Sequence, residues 1–479
     1  MADIEWLIEQ IETGPEGPHI GAFFDFDGTL IDGYSAAAFF KARLRKGDIG
    51  LRELVATVQE SVNVERRGHD VAELMRIGVE AQSGRAADEL DRWARQVFAK
   101  KIAGKLFPDS RVLIDAHKRM GHTVVVASSA TLPQIEPTAD DLGIHHIVCT
   151  DVEVDEDGML TGRLSSDIRW GEGKAAGVRD FAKANKIKLP ESFAYSNGAE
   201  DLPFLELVGH PCALNPDQEL AELARQRDWP VARLNKPPST SPADVVRSAA
   251  AIGVFAGSIG AAAGLALWNG SRRVGANVAA SAGSDLGLAA AGVRLNIVGE
   301  ENAWAERPAV FLFNHQSQLD VFVLGAVLRK DFTGVAKKEL EYSPFFGPVG
   351  FLADVAYIDR GNSQKAHEQL EPVVDALRNG RSIAIAPEGT RSPTPRLLPF
   401  KKGPFHMAMQ AQVPIVPIVM RNCGEIMGAH SMVIHPGTVD VAVLPPVSTT
   451  GWTKENLDEH VAEVRQMYLD TLADWPSFV

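Results

Sequence analysis

Two short segments of this 479-residue chain carry residues whose types and spacing suit chemistry at phosphate and acyl groups. The first is Phe23-Phe24-Asp25-Phe26-Asp27-Gly28-Thr29, with two carboxylates two residues apart at the end of an apolar run. That spacing puts both side chains on one face as a strand opens into a loop. One can attack phosphorus as a nucleophile while the other protonates a leaving alkoxide. A phosphate dianion approaching two carboxylates calls for a divalent cation, so Mg²⁺ is expected here. The second segment is Asn314-His315-Gln316-Ser317-Gln318-Leu319-Asp320, followed downstream by Pro387-Glu388-Gly389-Thr390-Arg391. An imidazole with a carboxylate five residues on can act as a general base held in one tautomer. Moving an acyl group from a thioester to a hydroxyl needs such a base, donors for the developing oxyanion and grip on both substrates. A lone His-x4-Asp is common by chance, and a structural histidine at a helix start is the alternative.

The elements that must position these residues read as two α/β units. Gly21–Phe26, Thr123–Ala127 and Phe193–Tyr195 are short apolar strands separated by amphipathic stretches, which predicts a parallel sheet with its active loops at the strand C-termini. Residues 34–105 are continuously helical and charged, too long for one crossover, and predict a helical cap inserted after the first strand. Asn235-Lys236-Pro237-Pro238-Ser239-Thr240-Ser241-Pro242 is the clearest linker. From Arg294 onward the alternation resumes, with strands at Leu295–Val298, Val310–Phe313, Ala356–Ile358, Ile383–Ala386 and Ile415–Met420. Helices are expected at Leu319–Leu328, Ser363–Arg378, Lys402–Ala411 and Lys454–Ala473. The expected division is a first α/β domain over 1–234, a linker over 235–243, a helical hairpin over 244–292 and a second α/β domain over 293–479.

Between the units, Ser248–Trp268 holds no charged residue and is dominated by Ala and Gly. Its length could span a bilayer, yet Ala and Gly contribute little transfer energy. Asn269-Gly270-Ser271-Arg272-Arg273 breaks the run, and Val274–Gly292 is a second small-residue segment. The pattern predicts a helical hairpin in the membrane interface, with a transmembrane span and a soluble hairpin as rivals.

Composition narrows the partners. The net charge is −14, most of it N-terminal to Thr240, and the sequence pI is about 5.5. Such a chain is a poor binder of nucleic acid, and lipid contact must come from local apolar surface. Cys149, Cys212 and Cys423 are far apart with no CxxC pair, and the acidic N-terminus has no secretory pattern. A cytoplasmic setting, peripheral or monotopic on the membrane, is the expectation.

With those residues in view, residues 21–214 resemble the haloacid dehalogenase superfamily, in particular its phosphoserine-phosphatase-like branch. The resemblance implies Asp25 as nucleophile, Asp27 as acid and base, Ser128 as the phosphate-binding hydroxyl and Lys174 as the neutralising lysine. It implies a metal site of Asp25, Asp27, Asn197 and Asp201. One position departs: Ser196-Asn197-Gly198-Ala199-Glu200-Asp201 writes an amide at Asn197 where the family carries a carboxylate ligand.

Residues 244–473 resemble the glycerolipid acyltransferase family, specifically 1-acylglycerol-3-phosphate acyltransferases. Asn314–Asp320, Tyr357-Ile358-Asp359-Arg360, Pro387–Arg391 and Val413-Pro414-Ile415-Val416-Pro417-Ile418 match its four blocks in order. The resemblance implies His315 as base, Asp320 as its orienter, Arg360 on the acceptor phosphate, and Glu388, Gly389, Thr390 and Arg391 shaping that pocket. Lys337, Lys338, Lys401 and Lys402 add positive charge nearby in sequence.

Together these imply a bifunctional glycerolipid enzyme. One half acylates lysophosphatidate from acyl-CoA or acyl carrier protein, and the other releases phosphate from a monoester with Mg²⁺. An acyltransferase carrying a non-catalytic phosphatase-like module, or an N-terminal phosphoserine phosphatase, stand as alternatives.

Overall fold

The computed structural model describes residues 3–49, 71–342, 346–358 and 371–476. The chain divides into two compact units, Met1–Pro237 and Pro238–Val479.

The first unit is built on a parallel sheet. Its strands are β1 (Gly21–Phe24), β2 (Thr123–Thr131), β3 (His146–Thr150), β6 (Phe193–Ser196), β7 (His210–Leu214) and β8 (Val231–Ala232), in the order β3-β2-β1-β6-β7-β8. A two-stranded antiparallel ribbon, β4 (Val152–Val154) and β5 (Leu160–Leu164), lies outside it. All four residues of β1 are buried, which suits a central strand covered on both faces. Strand order reverses at β1: β2 and β3 extend to one side, β6 to β8 to the other. The crevice beyond the carboxyl end of such a switch point is where open α/β sheets place their sites. Asp25 follows β1 directly. Helices Ser35–Lys46, Val71–Glu80 and Ala87–Val97 are inserted between β1 and β2 as the helical cap.

The second unit opens with Pro242–Asn269, a 28-residue helix with a complete start signal. The Ser241 hydroxyl accepts from Asp244 N while the Asp244 carboxylate accepts from Ser241 N, and Pro242 takes the first turn. Gly270 closes it in the left-handed conformation (φ 65°). The chain returns as Arg272–Val278, a wide π turn at Ala279–Gly283 and Ser284–Ala291, completing a hairpin. Small residues let the two arms approach closely: a Cβ on Gly283 would come within 2.3 Å of Ser258 Oγ, and one on Gly275 within 2.5 Å of the Ala262 carbonyl.

The second sheet is mixed. It comprises β9 (Val293–Val298), β10 (Val310–Phe313), β11 (Phe332–Lys337), β12 (Ala356–Ile358), β13 (Ser382–Ile385), β14 (Ile415–Met420) and β15 (Gly437–Val443), ordered β12-β11-β13-β10-β14-β15-β9. Every neighbouring pair is parallel except β14 with β15. Fully buried β10 is central, flanked by β13 and β14, and His315 emerges two residues beyond its end.

Candidate functional site

In the first unit, Lys174 joins the two acidic ends of the crevice. It stands on the helix Glu172–Asn185, 3% exposed, and its ammonium donates to Asp25 Oδ1 (2.7 Å) and Asp201 Oδ2 (2.6 Å). Ser196 Oγ also donates to Asp201 Oδ2 (2.6 Å). Burial alone would lower the Lys174 pKa, but Asp201 and Asp25 outweigh it and hold the ammonium charged. Burial pushes the Asp25 carboxyl up, against the pull of Lys174. Thr29 Oγ1 donates to Asp25 Oδ2 (3.1 Å), so the loop hydroxyl orders the acid it follows.

Asp27 faces elsewhere. Its two oxygens accept from Ser35 N (2.7 Å) and Ser35 Oγ (3.0 Å), tying the first cap helix to the loop. Burial raises its pKa to about 7. Ser128 is buried on β2, its Oγ accepting from Ala130 N (3.2 Å).

Asp27 turns its side chain to Ser35, and Asp201 turns to Lys174 and Ser196. Asp25 Oδ2 and the Asp27 main-chain carbonyl stand 3.3 Å and 3.0 Å from one end of the Asn197 carboxamide. A hard divalent cation takes carboxylate, main-chain carbonyl and Asn carbonyl oxygens, so with the amide oxygen at that end this set fits one.

In the second unit the site is built around one carboxylate oxygen. Asp320, fully buried at the start of the helix Asp320–Leu328, accepts through Oδ2 from His315 Nδ1 (2.7 Å), Gln316 N (3.0 Å) and Ser317 N (3.1 Å). Two main-chain donors thus fix the acid that orients the imidazole. With Nδ1–H committed to Asp320, the lone pair of neutral His315 is on Nε2. The main chain of His315 is also clamped: its N–H donates to Glu388 Oε1 (2.7 Å) and its carbonyl accepts from Ser392 N (2.7 Å). Asn314 pairs with both main-chain groups of Met420 on β14, at 2.7 Å each.

Glu388 differs from its expected place on the acceptor pocket. It is 3% exposed, and its second oxygen accepts from Leu398 N (2.8 Å). Both oxygens serve the main chain, and burial raises its pKa to about 7. Gly389, Thr390 and Arg391 do line the cavity that His315 opens into. Gly389 has φ 72°, a left-handed conformation that other residues adopt only with strain. Arg391 Nη1 is buried without a hydrogen-bond partner among the described residues. Arg360 lies outside the described residues.

The cavity itself has a volume of about 650 Å³ and mostly apolar walls. Phe255 and Ile259 of the long helix, Phe313, Leu324 and Leu352 form part of its lining, with Lys337 at a polar position. The hairpin's part in this wall was not evident from sequence, where Phe255 and Ile259 read only as apolar points in a small-residue run. Nor were the Asn314, Gln316 and Ser392 clamps, which rest on main-chain partners that no motif spells out.

Comparison with known proteins agrees with both halves. Residues 22–206 match the model for haloacid dehalogenase-like hydrolases, and residues 294–421 match the acyltransferase model. A 1-acyl-sn-glycerol-3-phosphate acyltransferase of Saccharomyces cerevisiae is 39% identical over 186 residues, 38% of this chain and 61% of that protein. The chain therefore spans less than two thirds of that relative. The inhibition of morphological differentiation protein of Streptomyces azureus is 32% identical over 274 residues, 55% of this chain and 96% of that one. The crystal structure of a 1-acyl-sn-glycerophosphate acyltransferase from Thermotoga maritima covers 49% of this chain and 100% of its own, at 21% identity and a TM-score of 0.41. The chain carries an N-terminal haloacid dehalogenase-like hydrolase domain fused to a C-terminal acyltransferase domain that resembles the 1-acyl-sn-glycerol-3-phosphate acyltransferases.

Proposed function

We propose that the C-terminal unit transfers an acyl group from the thioester of acyl-CoA or acyl carrier protein to the free hydroxyl of lysophosphatidate, giving phosphatidate. The observation that carries this reading is the His315–Asp320 pair opening into an apolar cavity that also holds an unpartnered Arg391 guanidinium nitrogen. His315 Nε2 takes the proton of the acceptor hydroxyl as its oxygen attacks the thioester carbonyl. The tetrahedral adduct then collapses, the carbon–sulfur bond breaks and the leaving thiolate recovers the proton from His315. Asp320 keeps the ring in the required tautomer and stabilises the transient imidazolium. Arg391, with Arg360, supplies guanidinium donors suited to the acceptor phosphate. The apolar walls suit an acyl chain.

The helical hairpin supports a seat for this cavity at a bilayer surface, where single-chain lipids partition. Its first helix is long and apolar enough to cross a membrane by length and composition, and one face packs on the rest of its unit. An interfacial seat uses both faces.

For the N-terminal unit the proposed reaction is hydrolysis of a phosphate monoester with Asp25 as nucleophile. Asp25, the Asp27 main-chain carbonyl and Asn197 would hold the divalent cation that lets a phosphate dianion approach that carboxylate. For the C-terminal unit the test is acyl transfer from acyl-CoA to lysophosphatidate by the full chain and by His315→Ala. A fall of about 10²–10⁴-fold in kcat/KM is expected for loss of a general base; an unchanged rate would sink the mechanism.

A further inference from the structure

One peptide group beside the acyltransferase site is held from its two ends by opposite charges. The Leu397 carbonyl accepts from Arg465 Nη2 (3.2 Å), and the N–H of the same peptide, on Leu398, donates to Glu388 Oε2 (2.8 Å). Arg465 Nε also donates to the Leu398 carbonyl (3.5 Å). The other Glu388 oxygen accepts from His315 N (2.7 Å). A continuous chain thus runs from a guanidinium on the helix Leu457–Ala473 to the main chain of the proposed base. A peptide dipole is negative at its carbonyl and positive at its N–H. The cation and the carboxylate therefore polarise this peptide in the same sense and strengthen both bonds.

We propose that Arg465 is a positioning residue for the acyl transfer, acting through the Leu397–Leu398 peptide and Glu388 on the main chain of His315. It touches neither substrate nor the reacting atoms. Its work is to hold the carboxylate that holds the base.

The helix that carries Arg465 is itself anchored. Val464 and Tyr468 are buried beside it, and the Tyr468 hydroxyl donates to the Leu312 carbonyl on β10 (2.7 Å). Leu312 lies on the strand that delivers His315, so one helix grips both that strand and the loop that clamps it. At Glu388 burial raises the pKa, while the two main-chain N–H groups and Arg465 oppose it and favour the carboxylate with two accepting oxygens.

Steady-state acyl transfer in a double-substitution cycle tests this. In Arg465→Met kcat is expected to fall about 10-fold with KM for lysophosphatidate and for the acyl donor unchanged, because a displaced base slows only the chemical step. Glu388→Gln breaks the chain already, since its one oxygen cannot serve both main-chain donors. In that background Arg465→Met is expected to cost less than about 2-fold more. Asp458→Asn releases the same helix from its Lys402–Asp458 pair (2.5 Å), which lies outside the chain, and should leave kcat unchanged. An unchanged kcat in Arg465→Met, a rise in KM in its place, or the full loss repeated with Glu388 already replaced overturns the proposal. If Arg465→Met fails to fold, Arg465→Lys keeps the charge and gives up the planar fork. A loss in kcat of at least about 3-fold that vanishes in Glu388→Gln then supports the proposal, and its absence overturns it. The inference rests on the acyl-transfer reading: a wild-type chain without transfer removes both. Activity lost in His315→Ala and untouched by Arg465→Met removes this one alone.

Discussion

At the scale of residues, the acyltransferase site shows how much of a catalytic pair is held by groups outside the pair. Asp320 Oδ2 takes three donors, and only one of them belongs to His315. Replacing the acid by its isosteric amide has a definite consequence. In Asp320→Asn the carboxamide oxygen can take the Oδ2 position and keep all three donors, but the negative charge beside the ring is lost. The imidazolium that forms as His315 takes the proton is then no longer stabilised. The expected result is a loss of about 10²–10⁴-fold in kcat with little change in KM. A KM effect with kcat intact would show instead that Asp320 serves substrate binding. The motif residues His315 and Asp320 were legible in sequence because chemistry fixes their types. Glu388 was legible as a motif residue but its work was not, since its partners, His315 N and Leu398 N, are main-chain atoms that any residue supplies. Asn197 was legible as a departure, and only the geometry shows that its amide stands beside Asp25 Oδ2 and the Asp27 carbonyl.

Elements carry a second polar chain, buried in the N-terminal unit, that links a helix to the sheet. His122 Nε2 donates to the Pro15 carbonyl (2.7 Å), so its Nδ1 accepts from His117 Nδ1 (2.8 Å), and His117 Nε2 accepts from the Tyr195 hydroxyl on β6 (2.9 Å). Every member is used once when both rings are neutral. Burial lowers the pKa of both histidines; His122 lowers that of His117 further, while the Pro15 carbonyl and Glu16 partly oppose the shift at His122 and His19 adds to it. A depressed folded-state pKa means that the unfolded chain takes up protons first as pH falls. The contribution to stability is complete above the ordinary histidine range near 6.5 and is lost as pH falls below it. Thermal unfolding of the full chain should therefore show an early transition that drops between about pH 7 and pH 5.5. His117→Gln, with one titrating ring fewer, should show a shallower drop; equal slopes would mean the pair does not govern acid stability. The sequence did not announce this chain, because a tautomer ladder has no spacing rule. Strands followed the same logic. Val310–Phe313 and Ile415–Met420 were plain as apolar runs, whereas β11 is interrupted by Gly334, β15 by Asp440 and β7 by Pro211, so their strand character comes from neighbours in the sheet.

For the whole molecule, the proposed seat on a membrane has to be reconciled with a net charge of −14. A broad field of that sign repels an anionic bilayer, so attraction must be apolar and local. The turn of the hairpin provides it: Leu267 and Trp268 are 85% and 86% exposed at the end of the long helix. The basic residues that follow do not supply a free positive patch, since Arg272 pairs with Asp354 (2.8 Å) and Arg273 with Asp331 (2.6 Å). Phe351, 70% exposed, lies under the Arg272 guanidinium at 5.1 Å and extends the apolar surface. Burying a large apolar side chain is worth roughly 1.5–3 kcal/mol. Replacing Leu267 and Trp268 together by serine should then cut partitioning into phosphatidylcholine vesicles by about 10-fold or more. Sedimentation with vesicles measures this directly, and the same binding should change little with added salt or with anionic lipid, because it owes little to screened charge. Binding that needs anionic lipid, weakens steeply with salt and ignores the double substitution would place the attraction in charges and remove the hairpin turn from the membrane contact.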